Sequence, residues 1–270
     1  MQKVVSIVQN LSLDITIGAL ISCLFIGKVF QVNISLHMLF GLGIAIWLIY
    51  TFDHLRDAQS AKSRPSNPRH AFHYDYRKPL IVVAVIFFIV GLVNAFYLPF
   101  ETIQMGVVLA ILSVLYFVYI RISKRQLSKE IFAALVYTAG VFTAPLSLVE
   151  SMDWTYWILM FQFLLMACAN LMIIPLYEVR IDKRDEVNSL VIYLGEPRSK
   201  VVIQAILGLN LVIIALFLTV IKAHENAQFI FFAMGLALVI LLGRNEFFRK
   251  HQLYRIICDG IFFLPIFYWL

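Results

Sequence analysis

Nine stretches of this 270-residue chain are apolar over enough consecutive residues to cross a lipid bilayer as helices. A span takes about 20 mainly apolar residues, and only helices or closed barrels satisfy their backbone hydrogen bonds inside the membrane. Barrel-type alternation is absent. The runs cover residues 11–30, 34–52, 79–100, 102–120, 131–149, 154–176, 201–221, 227–243 and 254–270. The sequence therefore predicts an all-α membrane bundle of about nine helices, with residues 1–270 forming one domain.

The composition excludes the soluble classes of protein. Hydrophobic residues make up 61% of the chain, charged residues only 14%, and the mean hydropathy is +0.86. Soluble domains are about 45–50% apolar and about 25% charged. The cysteines Cys23, Cys168 and Cys258 lie in apolar runs without the spacing of metal ligands, so neither a disulfide framework nor a zinc site is predicted.

The basic residues are confined to alternate loops. Of the 22 Lys and Arg residues, 20 lie on one side of the predicted membrane, the exceptions being Lys28 and Lys222. The positive-inside rule predicts a multi-pass protein of the cytoplasmic or inner membrane, with its N-terminus in the cytoplasm and its C-terminus outside. A basic excess of this kind indicates contact with anionic membrane lipid and not with nucleic acid.

Two acidic groups follow the second and sixth predicted spans. Asp53 and Asp57 form the first acidic group, and Glu178 and Asp182 form the second. Each pair has the i, i+4 spacing that places both carboxylates on one helical face. Four spans separate the pairs, so both lie on the cytoplasmic side and suit Mg²⁺ bound to a diphosphate. Nearby basic residues are expected to bind the other phosphate oxygens: Arg56, Arg77, Lys78, Lys124, Arg125, Arg180 and Lys183.

A plain alternative exists for each of these features. Charged pairs at the end of a helix are commonly solvated and contribute little. The segment at residues 64–69, Arg-Pro-Ser-Asn-Pro-Arg, has turn-forming residues and is expected to be a simple connector, with a loop that caps the site as the alternative.

This layout resembles the UbiA superfamily of intramembrane prenyltransferases, which have nine helices and aspartate-rich motifs after the second and sixth. The first family motif reads N-D-x-x-D-x-x-x-D and is followed by Arg-Pro; the second reads D-x-x-x-D and is followed by Thr-Leu and Leu-Gly. The acids of both groups fall on these motifs. The other matching positions are Arg77 to Leu80, Asn170, Ser189 with Leu190, Leu194 with Gly195, and, between the fourth and fifth spans, Tyr116, Tyr119, Lys124 and Arg125.

The resemblance implies a Mg²⁺-dependent transfer of a prenyl group from a prenyl diphosphate to a lipophilic acceptor, such as an aromatic compound or a quinone precursor. In that case Asp53, Asp57, Glu178 and Asp182 would be the catalytic metal ligands. The first motif departs from the pattern, because Ile49 and Tyr50 stand where the family has Asn and Asp. A catalytically inactive homologue therefore remains an alternative, as does a membrane transporter or scaffold.

Overall fold

The computed structural model describes residues 7–60, 64–123, 129–185, 189–243, 245–250 and 253–269. Within these ranges the chain is almost entirely helical and contains no strand. All nine predicted apolar runs form helical segments, and seven helices are long and apolar enough to cross a membrane. The prediction of an all-α membrane bundle is confirmed.

The helices are numbered here in chain order. They are α1 (Leu13–Val29), α2 (Leu36–Ser60), α3 (Pro68–Asp75), α4 (Arg77–Ala95), α5 (Phe100–Ser123), α6 (Lys129–Leu148), α7 (Trp154–Arg184), α8 (Leu190–Leu194), α9 (Glu196–Leu216), α10 (Glu225–Gly243), α11 (Asn245–Lys250) and α12 (Leu253–Gly260). A π-helical turn, Phe217–Ile221, extends α9, and a 3₁₀ segment, Ile261–Trp269, extends α12.

Helices α6 and α7 are the most deeply buried of the seven long helices. They pack against each other, α1 packs on α6, and α9 packs on α7. Helix α4 packs on α2, α5 packs on α6, and both α4 and α5 leave most of their apolar side chains exposed. In a bilayer such exposed apolar faces contact lipid.

Two helices extend beyond their apolar runs and thereby create the polar end of the bundle. Helix α2 continues to Ser60 and α7 continues to Arg184, so each acidic group lies within about the last two turns of its helix. We call this the acidic end. The negative end of each helix dipole lies there too, so carboxylates at these positions need positive partners.

Three short helices in the loops at this end were not predicted, and one corrects an expectation. Residues 64–69 are more than a connector, because Asn67 caps α3 by accepting a hydrogen bond from the Arg69 amide at 3.1 Å, and Pro68 begins the helix. Both features are strong start signals for a helix.

Candidate functional site

A cavity of about 180 Å³ opens at the acidic end between α2, α3, α6, α7 and α12. All four carboxylates of the two acidic groups line it, although the groups are more than 100 residues apart in sequence. Asn170, about two turns before Glu178 in α7, also lines it. The structure thus brings together the acids that the sequence placed on one side of the membrane.

The first acidic group is enclosed by two cations. Asp53 accepts from Arg56 Nη2 at 2.9 Å through Oδ1 and from Lys129 Nζ at 2.9 Å through Oδ2. Asp57 accepts from Arg56 Nη2 at 3.0 Å through Oδ1, and its Oδ2 is also bound by Lys129. Every oxygen of the two carboxylates therefore has a cationic donor.

The second acidic group is more open. Glu178 Oε1 accepts from Tyr254 Oη at 2.9 Å and from Arg255 Nε at 2.7 Å, and its Oε2 accepts from Asn67 Nδ2 at 3.0 Å. Asp182 is buried, and among the described residues no side chain forms a hydrogen bond or ion pair with it. The carboxylate of Asp182 is thus open to a further cation.

Several polar atoms of the lining are buried without a hydrogen-bond partner in the described part of the chain. They are Glu130 Oε2, the side-chain oxygen of Asn170, the hydroxyl of Tyr137 and both ring nitrogens of His54. Buried polar groups in proteins are normally paired, so each unpaired atom indicates a place for a water, an ion or a ligand. Glu130 uses its other oxygen to accept from the Leu190 amide at 3.0 Å, which fixes the carboxyl group beside the cavity.

Deeper in the cavity, charged residues give way to apolar ones. Arg69 reaches inward and forms ion pairs with Asp259 at 3.4 Å and with Asp14 at 4.0 Å. The remaining lining is largely apolar: Ile15, Ala133, Ala167, Leu171, Ile174, Pro175 and Phe262. The cavity therefore has a charged mouth and an apolar wall, which suits an amphipathic ligand.

Most of the basic residues expected to bind phosphate do not reach this cavity. Arg77, Lys78, Arg180 and Lys183 are exposed and absent from its lining. The reason for Arg180 is helical geometry, because a residue two positions after Glu178 points about 200° away around α7. Arg56 contacts the first acidic group from outside the lining, and Lys124 and Arg125 lie outside the described residues.

The two tyrosines expected at the site are also placed elsewhere. Tyr119 is exposed, and Tyr116 stacks on Phe132 with 3.5 Å between ring centroids. Neither residue lines the cavity.

The cations that do line the cavity were missed as site residues. Lys129, Arg69 and Arg255 belong to three different segments that flank apolar helices. In the sequence they resemble the other basic residues of the loops, and they predict only the orientation of the chain in the membrane. The position of Lys129 in the first turn of α6, next to Glu130, was the available signal.

Comparison with known proteins identifies the family. The model of the UbiA prenyltransferase family matches residues 51–257, which include both acidic groups and every cation of the cavity. The chain belongs to the UbiA prenyltransferase family. The resemblance seen in the sequence is thereby confirmed. A search of curated proteins finds no match for this UbiA family member.

The UbiA family implies Mg²⁺ at this site, and the two acidic groups differ in how well they fit it. In the described part of the chain, no three His, Cys, Asp or Glu side chains are arranged as a ready metal site. The second acidic group fits a cation at Asp182, because within the described ranges neither its carboxylate nor the buried Oε2 of Glu130 has a hydrogen-bond or ion-pair partner. The first acidic group does not fit one as placed, because Lys129 and Arg56 already bind all four of its oxygens.

Proposed function

We propose that this protein transfers a prenyl group from a prenyl diphosphate to a lipophilic acceptor, with Mg²⁺ bound at the second acidic group. The observation that carries the proposal is the convergence of both acidic groups and three cations on one cavity that continues into an apolar wall. Family membership supports prenyl transfer in general. The acceptor class and the metal requirement are proposed here from the chemistry of the site.

The chain's own residues supply most of what the reaction needs. Lys129, Arg69 and Arg255 provide positive charge in the lining of the cavity, where a diphosphate would be held. The Asp182 carboxylate and Oε2 of Glu130 would hold Mg²⁺ beside Glu178, because Mg²⁺ prefers hard oxygen ligands. Bound there, Mg²⁺ would neutralise part of the charge that develops on the leaving diphosphate.

The apolar wall has two roles in this proposal. It buries the prenyl tail, and it keeps water away from the allylic cation that forms when the diphosphate leaves. The acceptor then forms a bond to that cation and loses a proton. His54 is a suitable proton acceptor, because both of its buried ring nitrogens are unpaired in the described part of the chain.

The test measures binding of a non-hydrolysable prenyl-diphosphate analogue to the purified protein in detergent, with tails of several lengths. Wild type should bind it only with Mg²⁺, and a chelator should reverse binding. Asp182→Asn should abolish the Mg²⁺-dependent part, because it removes the unpaired carboxylate. Glu246→Gln is the matched control, since its side chain is 93% exposed and does not line the cavity.

Turnover needs a separate measurement. Membranes containing the protein should release diphosphate from a labelled prenyl diphosphate when Mg²⁺ and a set of aromatic acceptors are present. Failure of the wild type to bind any analogue at millimolar Mg²⁺ would contradict the proposal and favour an inactive homologue, a transporter or a scaffold.

A further inference from the structure

The first acidic group forms a closed ring with two cations. Lys129 Nζ contacts one oxygen of Asp53 and one of Asp57. Arg56 Nη2 contacts the other oxygen of each, at 2.9 Å and 3.0 Å. Two negative and two positive charges cancel, so the group as placed has no net charge to attract a divalent ion. Tyr50, one turn before Asp53, lines the same cavity and adds no carboxylate.

The two cations of the ring have different positions. Arg56 lies on the same helix as the carboxylates, its guanidinium is 5.4 Å from the centre of the Phe117 ring, and it does not line the cavity. Lys129 comes from the first turn of α6 and does line it. The side chains of Lys129 and Asp57 are only 22% and 7% exposed, so this pair is well removed from solvent.

An ammonium group donates three hydrogen bonds, and the two carboxylates use two of them. The third is left for an acceptor in the cavity. The N-terminus of α6 adds its own partial positive charge at this point. A compact point charge with these properties is the side-chain group closest in character to a small metal ion.

We propose that the Lys129 ammonium takes the place of a metal ion at the first acidic group, binding Asp53 and Asp57 on one side and the diphosphate on the other. Metal binding is then confined to the second acidic group. This inference rests on the proposed function for its ligand. It gives the acids of the first group a positioning role: they hold the lysine and do not bind metal.

Glu130, the residue after Lys129, supports the assignment of a lysine to the first acidic group and a metal ion to the second. Lys129 is bound by the first acidic group, whereas Oε2 of Glu130, in the same cavity as Asp182, has no hydrogen-bond partner among the residues that the structure describes. Consecutive residues at the start of α6 therefore give one acidic group its cation and the other an additional anionic oxygen.

The experiment counts Mn²⁺ ions bound per chain by electron paramagnetic resonance, with and without the non-hydrolysable analogue. Wild type should bind a single Mn²⁺ with the analogue. Lys129→Met, which keeps an unbranched side chain one atom shorter and removes the charge, should bind a second. Its affinity for the analogue at 1 mM Mg²⁺ should fall about tenfold or more and recover at higher Mg²⁺. Lys129→Arg is the matched control and should keep the wild-type metal count.

A second set of variants keeps the test decisive if Lys129→Met fails to fold. Asp57→Asn should leave the Mn²⁺ count unchanged, whereas Asp182→Asn should remove the ion. Two Mn²⁺ ions in the wild type, or loss of an ion in Asp57→Asn, would overturn the inference. Absence of analogue binding by the wild type would instead count against the proposed function. In that case the Mn²⁺ count without the analogue still tests the role of Lys129. Lys129→Met should bind one Mn²⁺ ion more than the wild type, and an equal count would refute that role.

Discussion

The Asn67 side chain donates from Nδ2 to Oε2 of Glu178 at 3.0 Å, which joins the loop after α2 to the second acidic group. Asn67 Oδ1 also accepts from Arg255 Nη2 at 3.2 Å and from the Arg69 amide at 3.1 Å. One side chain therefore caps α3 and links α7 to α12.

Asn67→Ala should destabilise the protein by about 1–2 kcal/mol, because it removes a helix cap and leaves a buried carboxylate oxygen without its donor. Thermal unfolding in detergent measures the change. Asn67→Ser separates the two effects, since serine can still cap α3 but is too short to replace the amide donor to Glu178. A serine variant as unstable as the alanine variant would show that the cap contributes nothing.

A buried amide pair inside the bundle gives a second prediction. Gln162 of α7 and Gln228 of α10 donate to each other at 2.9 and 3.1 Å, and both are 0% exposed. Gln162→Leu or Gln228→Leu alone should destabilise the protein by about 1–2 kcal/mol, because the remaining glutamine loses both hydrogen bonds that the pair exchanges. The double variant should recover part of that loss. Unfolding in a denaturing detergent is the measurement, and Gln104→Leu on the exposed face of α5 should cost nothing.

The short helix α3 should be sensitive to mild acid. Burial lowers the pKa of His70 below its usual value, although Asp57 opposes the shift, and burial likewise lowers the pKa of His73. The opened helix therefore binds more protons than the closed one below about pH 6.5. The contribution to stability is complete above that pH and is lost as the pH falls toward the lowered values.

Hydrogen exchange of residues 68–75 measured between pH 8 and pH 5 tests this expectation. Exchange, corrected for its intrinsic pH dependence, should rise on acidification in the wild type. Replacing both histidines with glutamine should flatten the response. An unchanged response in that variant would assign the pH dependence to other groups.

The orientation of the chain remains a prediction from its loop charges. In a background without Cys23, Cys168 and Cys258, a single cysteine at Ser66 should react only from the cytoplasm and one at Ser151 only from outside. Both positions are exposed in the structure, so accessibility does not limit labelling. Labelling of Ser66 from outside would reverse the orientation proposed for the acidic end.

The helices and the acidic groups were predictable because they depend on local sequence. An apolar run specifies a span by its length alone, and an i, i+4 pair specifies a shared face. The contacts that complete the site are not local: Lys129 and Asp57 are 72 residues apart, Arg255 and Glu178 are 77, and Arg69 and Asp259 are 190. Pairing at such distances depends on how the helices pack, and basic loops offer many equivalent cations to choose from.

The start of α3 shows why this helix was not predicted from a turn-like sequence. Pro65 and Pro68 with Ser66 and Asn67 are typical of a turn, yet Asn followed by Pro is also a helix start. A contact from outside the segment fixes the backbone that precedes the helix, because Asp185 accepts hydrogen bonds from the Ser66 amide at 2.8 Å and the Asn67 amide at 3.2 Å.

The cations that bind the two acidic groups come from different parts of the chain, so the two groups are completed at different times during synthesis. The first group finds its cations, Arg56 and Lys129, in the first half of the chain. Glu178 gains Asn67 from a segment already made, but its cation, Arg255, belongs to the last helix to emerge. A nascent protein that has inserted through α10 would therefore carry a finished first group and a Glu178 still without its arginine, which makes the arrival of α12 the event that closes the site.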